Sequence, residues 1–395
     1  MSILLARHPL RRFVGPCLPA ALWGILSLVT AGGAAFGQDD ATRFADWGKV
    51  EAAAETRTFK EAMRSGGAFD GASRGYLEQV SLQLELEANR ATIERVRKRM
   101  REFLLADIAN EKAAEDANGV VLAAMQSLTE RQDADAVVRV NAMLMIGELQ
   151  GFDRKPFQAA AAVLARAAAN DELPKSVRIA ACVGLARHVE ATKGLVEEQR
   201  RMAGIAQPAI VAILTETAAG ASSVENDWLS SRCLTMLPLL GPATAETIAA
   251  AERIVRDGDR SINVRIRAAV ALAAAAGSDS KLDAAAIIPA IGTLAVTSLE
   301  RDVAIADRLV LERQAGSAAG LPGAIPPAAG PPGMPLDPAS QPAVEQLIPR
   351  EVCRRAAWRL AVLADAILTD DSKRGLAVLA GGEIQPDFRE LSQKL

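Results

Sequence analysis

The sequence VRIAACVGLA at residues 177–186 returns as VRIRAAVALA at residues 264–273, with seven of ten positions identical. Residues 138–147, VRVNAMLMIG, share the opening Val-Arg and the small fifth residue. Weaker copies stand at 352–361, VCRRAAWRLA, and at 229–238, LSSRCLTMLP. The first three steps between copies are 39, 52 and 35 residues, a spacing typical of arrays of helical hairpins. We therefore interpret these segments as one helix repeated along the chain.

The copies share a small residue at the position where two helices would cross. Ala142, Ala181, Ala268 and Ala356 occupy this position, and apolar residues follow each of them. A single hairpin cannot bury such an apolar face alone, so the copies have to stack against one another. Helical patterns between the copies predict their partner helices, which span 113–129, 157–169, 207–217, 243–255 and 282–298.

An acidic residue precedes the Val-Arg pair in the three best copies. Asp133, Glu172 and Asp259 each stand five residues before the valine. This arrangement resembles the HEAT repeat, whose second helix commonly begins with an acid, a short gap and Val-Arg; the resemblance covers about 113–314 and 344–370. In that family the acid and the arginine tend to stack into a ladder that joins neighbouring repeats. The resemblance assigns this structural role to Asp133, Arg139, Arg178, Asp259 and Arg265.

The predicted fold is an all-α, right-handed α-solenoid of about five HEAT-like helical hairpins behind an N-terminal helical cap. Alanine supplies 79 of the 395 residues and aromatic side chains only 4%, which argues against a β-sandwich or barrel. The predicted divisions are a signal peptide (1–37), the cap (38–112), the HEAT-like repeats (113–314), an insertion (315–343), and the last repeat helix with the C-terminal tail (344–395).

The predicted cap contains a helical stretch at 41–63 and, after several glycines, a long helix that ends near residue 105. Five of the seven residues 95–101 are basic, which is also the pattern of a nucleic-acid patch. The basic residues surround most of the helix, and Glu94 and Glu102 stand beside them. A solvated helix face is therefore the favoured interpretation, with weak contact to anionic lipid or envelope polymer as the alternative.

The first 37 residues have the features of an export signal. Arg7, Arg11 and Arg12 precede an apolar segment, and Ala35-Phe36-Gly37 offers the small-x-small pattern of a cleavage site. The alternative is an uncleaved anchor, but the prolines leave an apolar run shorter than the roughly 20 residues that span a bilayer. Removing 1–37 removes three arginines and no acids, so the mature net charge changes from -3 to -6. No later run reaches transmembrane length without charge.

Residues 315–343 differ from everything around them. They contain eight prolines, five glycines and eight alanines, and Asp337 is their only charged residue. This composition predicts a disordered or polyproline-like insertion, because proline removes helical hydrogen bonds. A spacer between the last repeats is the favoured interpretation, and a ligand for a proline-binding groove is the alternative.

No motif for catalysis or for binding a cofactor is found in the sequence. It lacks G-x-S-x-G and the P-loop pattern, and His188 is the only histidine after the signal segment. Cys182, Cys233 and Cys353 lie in predicted helices without C-x-x-C spacing, so we interpret them as small buried hydrophobes and expect no zinc. The prediction is therefore no catalytic residue, no metal and no cofactor.

The favoured functional hypothesis is an exported, non-enzymatic scaffold, periplasmic or secreted, that binds an unknown protein partner on the concave face of the array. The balanced charge does not suggest nucleic acid as a partner. One alternative is an enzyme with a carboxylate-lined groove. The other is a structural envelope protein held at the membrane by an uncleaved N-terminus. The oligomeric state is left open.

Overall fold

A computed structural model describes residues 50, 53–66, 69–106, 108–276, 282–318, 342–368 and 376. Within these residues the chain forms thirteen α-helices and no β-strand. One isolated antiparallel bridge joins Gln150 to Pro156. The all-α prediction is therefore confirmed. The predicted signal peptide and most of the predicted insertion lie outside the described residues.

The helices form an N-terminal group and a longer run of paired helices. The N-terminal group comprises α1 (Ala54–Ser65), α2 (Gly71–Ser81) and α3 (Ile93–Arg99). The paired run comprises α4 (Glu111–Glu130), α5 (Ala136–Ile146), α6 (Gln158–Ala169), α7 (Lys175–Ala191), α8 (Val196–Ala219), α9 (Val224–Met236), α10 (Ala245–Arg256), α11 (Ile262–Ala275), α12 (Ala284–Ala318) and α13 (Pro342–Leu368).

Helices α5, α7, α9, α11 and α13 contain the repeated sequence, and we call them the second helices. Each packs against the helix before it in the chain, which gives the pairs α4–α5, α6–α7, α8–α9, α10–α11 and α12–α13. Each second helix also packs against the next second helix, and α6, α8, α10 and α12 form a corresponding row. The contacts therefore run both within a pair and between neighbouring pairs.

Small residues lie where the second helices pack. Ala142, Ala181 and Ala268 are completely buried, and Ala356 is 9% exposed. Alanine at these positions lets neighbouring backbones approach, and larger side chains such as Leu185 and Leu272 fill the remaining core. Ala142, Ala181 and Ala268 thus belong to one continuous apolar core.

The long helix predicted to end near residue 105 is interrupted. After α2 the chain forms two 3₁₀ turns, Leu82–Leu84 and Glu87–Thr92, before α3, which continues into a π-helical turn at Met100–Leu104. Buried Asn89 donates from Nδ2 to the carbonyl oxygen of Gln83 at 2.9 Å. This side-chain bond competes with helical backbone bonding, which is why asparagine favours such breaks.

Two later helices are longer than predicted. Helix α8 begins at Val196 and passes through Pro208, whereas the expected helix covered only 207–217. Helix α12 continues to Ala318, four residues into the segment for which composition predicts no packed helix. The added parts include buried residues, Met202 and Ala206 in α8 and Asp302 in α12, so packing against neighbouring helices extends both beyond the predicted boundaries.

The cysteines differ in their environments. Cys182 and Cys233 are buried on α7 and α9, as expected for small hydrophobes. Cys353 is exposed on α13, so the expectation of a buried side chain is wrong there. Its position on the solvent side of the helix is not predictable from a weak copy of the repeat.

Candidate functional site

Three of the predicted ladder residues make the same hydrogen bond. Arg139 Nε donates to the carbonyl oxygen of Thr129 at 3.0 Å, and Arg178 Nε donates to that of Ala168 at 3.0 Å. Arg265 Nε donates to the carbonyl oxygen of Val255 at 2.9 Å. Each acceptor lies ten residues earlier, in the last turn of the preceding helix, where carbonyl groups lack helical partners. We call this bond the arginine clasp.

The predicted acidic members of the ladder make other contacts. Asp133 pairs with Arg131, with its two oxygens accepting from Nε at 3.2 Å and from Nη2 at 2.9 Å. The backbone N–H of Asp259 donates to Asp257 Oδ1, and its carbonyl oxygen accepts from Ser222. The described contacts thus do not bring Asp133 to Arg139 or Asp259 to Arg265. The arginines instead bind backbone oxygens within their own helix pair.

Arg178 also connects its helix pair to the next one. Its side chain is 2% exposed and binds both carboxylate oxygens of Glu216 on α8, with Nη1 2.9 Å from Oε1. The hydrogen bond to Glu216 raises the pKa of Arg178, and the bond to Arg178 lowers the pKa of Glu216. The Arg178 guanidinium therefore carries both the clasp and a bidentate ion pair.

A second buried arginine, Arg260, has the same linking role and is missed by the repeat pattern. Its Nε donates to Asp257 Oδ2 at 3.1 Å and its Nη1 to Asp227 Oδ1 at 3.3 Å. Its Nη2 donates to the carbonyl oxygens of Thr217 and Gly220. The side chain is fully buried, and its partners come from the end of α8, from α9 and from the loop before α11.

A third buried arginine, Arg359, joins the last three described helices. Arg359 Nη1 on α13 lies 2.8 Å from both oxygens of Asp302 on α12. Arg359 Nη2 donates to Asn263 Oδ1 on α11 at 3.1 Å. Asp302 is 2% exposed and Arg359 8%, so this pair fixes three helices around one desolvated charge pair.

The first concave region, which we call the basic pocket, lies at the C-terminal ends of α5 and α7. Its volume is about 360 Å³, and its lining includes Arg101, Glu148, Lys155, Arg187 and His188. Glu148 lies within ion-pairing distance of three arginines, at 3.2 Å from Arg187, 3.7 Å from Arg97 and 3.8 Å from Arg101. The Glu148 carboxylate is thus the shared ion-pair partner of three arginines.

Two buried side chains at the basic pocket have unsatisfied polar atoms. His188 is 3% exposed, and its Nε2 has no hydrogen-bond partner among the described residues. Burial lowers the pKa of His188 from 6.5 to about 4, with a hydrogen bond to the Ile146 backbone acting in the opposite direction. Arg97 is 8% exposed, and its Nε and Nη1 likewise lack hydrogen-bond partners there.

A second feature is a solvent-facing patch on α9 and α11, formed by Trp228, Arg232, Thr235 and Arg267, which we call the Trp–Arg patch. The Arg232 guanidinium lies over the Trp228 ring, 4.4 Å from its centroid, and Trp228 is 40% exposed. Arg267 Nη1 donates to Thr235 Oγ1 at 2.6 Å. Burial and then the charge of Arg232 lower the pKa of Arg267. In the part of the chain that the structure describes, no carboxylate pairs with either arginine.

An acidic concave region lies at the start of α4. It is lined by Glu111, Glu115 and Asp116, and Lys112 Nζ binds Asp116 Oδ2 at 2.9 Å. Acidic side chains in the first turn stabilise a helix through its dipole, which accounts for Glu111. No group of three potential metal ligands occurs among the residues that the structure describes.

Two described helices, Val196–Ala219 and Ala284–Arg308, are long and apolar enough to cross a membrane by length and composition. Core helices of soluble proteins pass the same test. In Val196–Ala219 the apolar residues Ile210 and Ile213 are fully buried against neighbouring helices, and Glu216 binds Arg178.

Comparison with known proteins gives no match: no family model, no curated protein and no solved structure is significantly similar to this chain.

Proposed function

We propose that this protein is an exported, non-enzymatic scaffold that uses the Trp–Arg patch to bind an acidic segment of a protein partner. The observation that carries the proposal is the exposed Trp228 ring, with the Arg232 guanidinium 4.4 Å from its centroid and Arg267 bonded to Thr235 of the same helix. An acidic partner supplies the carboxylates that these two guanidinium groups lack in the described contacts. The exposed Trp228 supplies the apolar contact area typical of interface centres.

The proposed architecture is a right-handed α-solenoid of about five HEAT-like hairpins behind the N-terminal cap. The repeated arginine clasp and the contacts between successive second helices support this arrangement. Such arrays have an extended concave face, which is the face that usually binds proteins, and the proposal assigns the second helices to it. The Trp–Arg patch lies on two successive second helices, α9 and α11.

A protein partner fits the charge of the chain better than a nucleic acid. The mature chain carries a net charge of -6 if residues 1–37 are removed, and the Trp–Arg patch contains two guanidinium groups, those of Arg232 and Arg267. Nucleic-acid surfaces need a longer basic track. The proposal includes no cofactor, and it includes contact with a membrane only if the signal segment is retained.

The test is site-specific crosslinking in the native compartment. A photoreactive amino acid replaces Trp228, and a control replaces Lys112, which is exposed on α4. We expect a discrete acidic protein to crosslink at position 228 and not at 112. The double variant Arg232→Glu with Arg267→Glu should abolish that crosslink, whereas Arg200→Glu, which changes an exposed arginine of α8, should not. Recovery of the protein alone from position 228 would overturn the proposal.

The proposed export is tested separately. Sequencing the N-terminus of the mature protein should give a start at Gln38, which follows the predicted cleavage site. A retained Met1 would instead favour the membrane-anchored envelope protein.

A further inference from the structure

We propose that the exposed face of α13 is an interface between two copies of this chain, which pair in antiparallel orientation about a two-fold axis. Arg354, Trp358, Ala361 and Asp365 form this face, and we call it the α13 stripe. The α13 stripe lies on a different helix from the Trp–Arg patch of α9 and α11. The proposal therefore does not rest on the proposed acidic partner.

Helix α13 is the last of the second helices that the structure describes. It packs against α12 and α11, and no second helix follows it in the described chain. By contrast, α7, α9 and α11 each pack between two other second helices, and at the other end of the array α5 is covered by α3. The terminal helices of a stacked array need a polar outer face or a cover to stay soluble.

The four residues of the α13 stripe share one side of the helix. They follow one another at intervals of four, three and four residues, which places them within an arc of about 60°. The buried residues Val352, Ala356 and Leu363 lie on the opposite side, toward the array.

The centre of the α13 stripe is apolar, which is unusual for the end of an array. Trp358 is 57% exposed, more than Trp228 of the Trp–Arg patch at 40%. Tryptophan is enriched at the centres of protein interfaces, where its ring supplies a large apolar contact. The α13 stripe therefore has the apolar centre and charged ends of an interface, with Arg354 at one end and Asp365 at the other.

The α13 stripe is complementary to a reversed copy of itself. In an antiparallel pair centred between positions 359 and 360, position 354 of each copy faces position 365 of the other, and position 358 faces position 361. Arg354 thus meets Asp365 of the second copy, and the large Trp358 meets the small Ala361 of the second copy. A two-fold interface requires this reciprocity, because the same surface serves both subunits. Charge and size therefore both favour a second copy as the partner.

The charged ends of the α13 stripe have the capacity for this pairing. Arg354 donates to Glu351 from Nε at 3.0 Å and from Nη2 at 2.9 Å. These bonds use two of the five N–H groups of the guanidinium and leave three for another acceptor. Asp365 takes part in no ion pair among the residues that the structure describes. The second copy would supply its carboxylate with an arginine.

Sedimentation equilibrium of the mature protein tests the proposal. We expect a monomer–dimer equilibrium with a dissociation constant of about 1–100 μM, since one helix from each copy forms a small interface. Trp358→Ala should raise this constant at least about tenfold, the usual effect of truncating a tryptophan at an interface centre. Trp228→Ala removes the exposed tryptophan of the Trp–Arg patch and is the matched control, with dimerisation unchanged.

Charge reversals identify the second copy as the partner. Arg354→Asp opposes two carboxylates across the interface, and Asp365→Arg opposes two guanidinium groups. Each variant alone should dimerise about 10- to 30-fold more weakly than wild type. A mixture of the two variants restores opposite charges at both ends, so the mixed dimer should form as readily as the wild-type dimer. This recovery also shows that both variants are folded.

Three outcomes would overturn the proposal. The first is a monomer at every concentration, which is expected if the C-terminal segment or a different protein covers the α13 stripe. The second is a dimer that neither Trp358→Ala nor the charge reversals weaken, because its interface would lie elsewhere. The third is failure of the mixed variants to associate. The crosslink from position 228 tests the proposed function independently of all three.

Discussion

A Cβ atom added to Gly147 would lie 2.4 Å from the Cα of Gly184, so the end of α5 and the middle of α7 meet through two glycines. A Cβ atom added to Gly184 would lie 2.7 Å from the Cα of Gly147 and 2.8 Å from Leu164 Cδ2. Contacts under 3 Å force the helices apart. Both glycines belong to copies of the repeated sequence: the residues that match Gly147 are alanine or proline, and those that match Gly184 are Met145, Met236, Ala271 and Arg359.

Gly184→Ala should therefore destabilise the protein by about 1–3 kcal/mol, the usual cost of an extra methyl group in a packed core. Gly204→Ala is the control, because Gly204 lies inside α8 with open space around it. That change should stabilise the protein by about 0.5–1 kcal/mol through helix propensity. Chemical denaturation measures both. Equal effects of the two substitutions would contradict the close approach of α5 and α7.

Arg178→Ala should cost about 2–4 kcal/mol of stability. The substitution removes the clasp to Ala168 and the bidentate pair with Glu216, and it leaves a cavity where a fully buried side chain stood. The cost should lie in the lower part of this range, because the Glu216 carboxylate is 41% exposed and water can solvate it when Arg178 is absent. Arg265→Ala should cost less, because Arg265 has the clasp to Val255 but no ion pair in the described contacts.

The control for both variants is Arg200→Ala, whose exposed pair with Glu197 should contribute under about 0.5 kcal/mol. Unchanged melting temperatures for Arg178→Ala and Arg265→Ala would count against the alignment of the repeats.

Stability should decrease as the pH falls from 6.5 to about 4 because of His188. In the unfolded chain the imidazole takes up a proton near pH 6.5, whereas burial in the folded protein delays this to about pH 4. The unfolded state thus binds more protons in this window, and stability rises with pH across it. The full difference corresponds to about 3 kcal/mol.

His188→Gln removes this titration, and the measurement is the difference between wild type and variant in urea unfolding at several pH values. Subtracting the two curves cancels the carboxylates that titrate below pH 5. The difference should change between pH 6.5 and 4 and stay constant above pH 7.5. A constant difference throughout would show that His188 is not buried in the neutral form.

Asp302→Ala should loosen the last helix pair. It leaves the Arg359 guanidinium, 8% exposed, without its carboxylate partner, and removing one member of a buried pair typically costs about 3–5 kcal/mol. Hydrogen exchange should show faster exchange of amides in α12 and α13 than in α6 and α7. Asp307→Ala, an exposed change on the same helix, is the control. Uniform protection in both variants would contradict the role of this pair.

The all-α class and most of the second helices follow from the sequence because their signals are local. The arginine clasp joins residues only ten apart, so its three arginines stand out in the repeated Val-Arg. Glu216 and Asp302 carry no such signal, since they lie 38 and 57 residues from Arg178 and Arg359. The basic pocket is not predictable from the sequence for the same reason. Residues 95–101 have the pattern of a solvated helix face, and only the fold places Glu148 beside Arg97.

The reach of the arginine clasp has a consequence for how such a chain can change in length. The arginine and the carbonyl oxygen of a clasp lie in the same helix pair. A pair bound only in this way can be duplicated or lost as a unit, and every clasp arginine then keeps its carbonyl acceptor. Arg178 and Arg260 bind carboxylates of neighbouring pairs. Loss of one of these pairs would therefore leave a buried arginine in the next pair without its carboxylate, or the reverse. Insertion of a whole hairpin between α7 and α11 should therefore cost stability, because it separates Arg178 or Arg260 from its carboxylate partner.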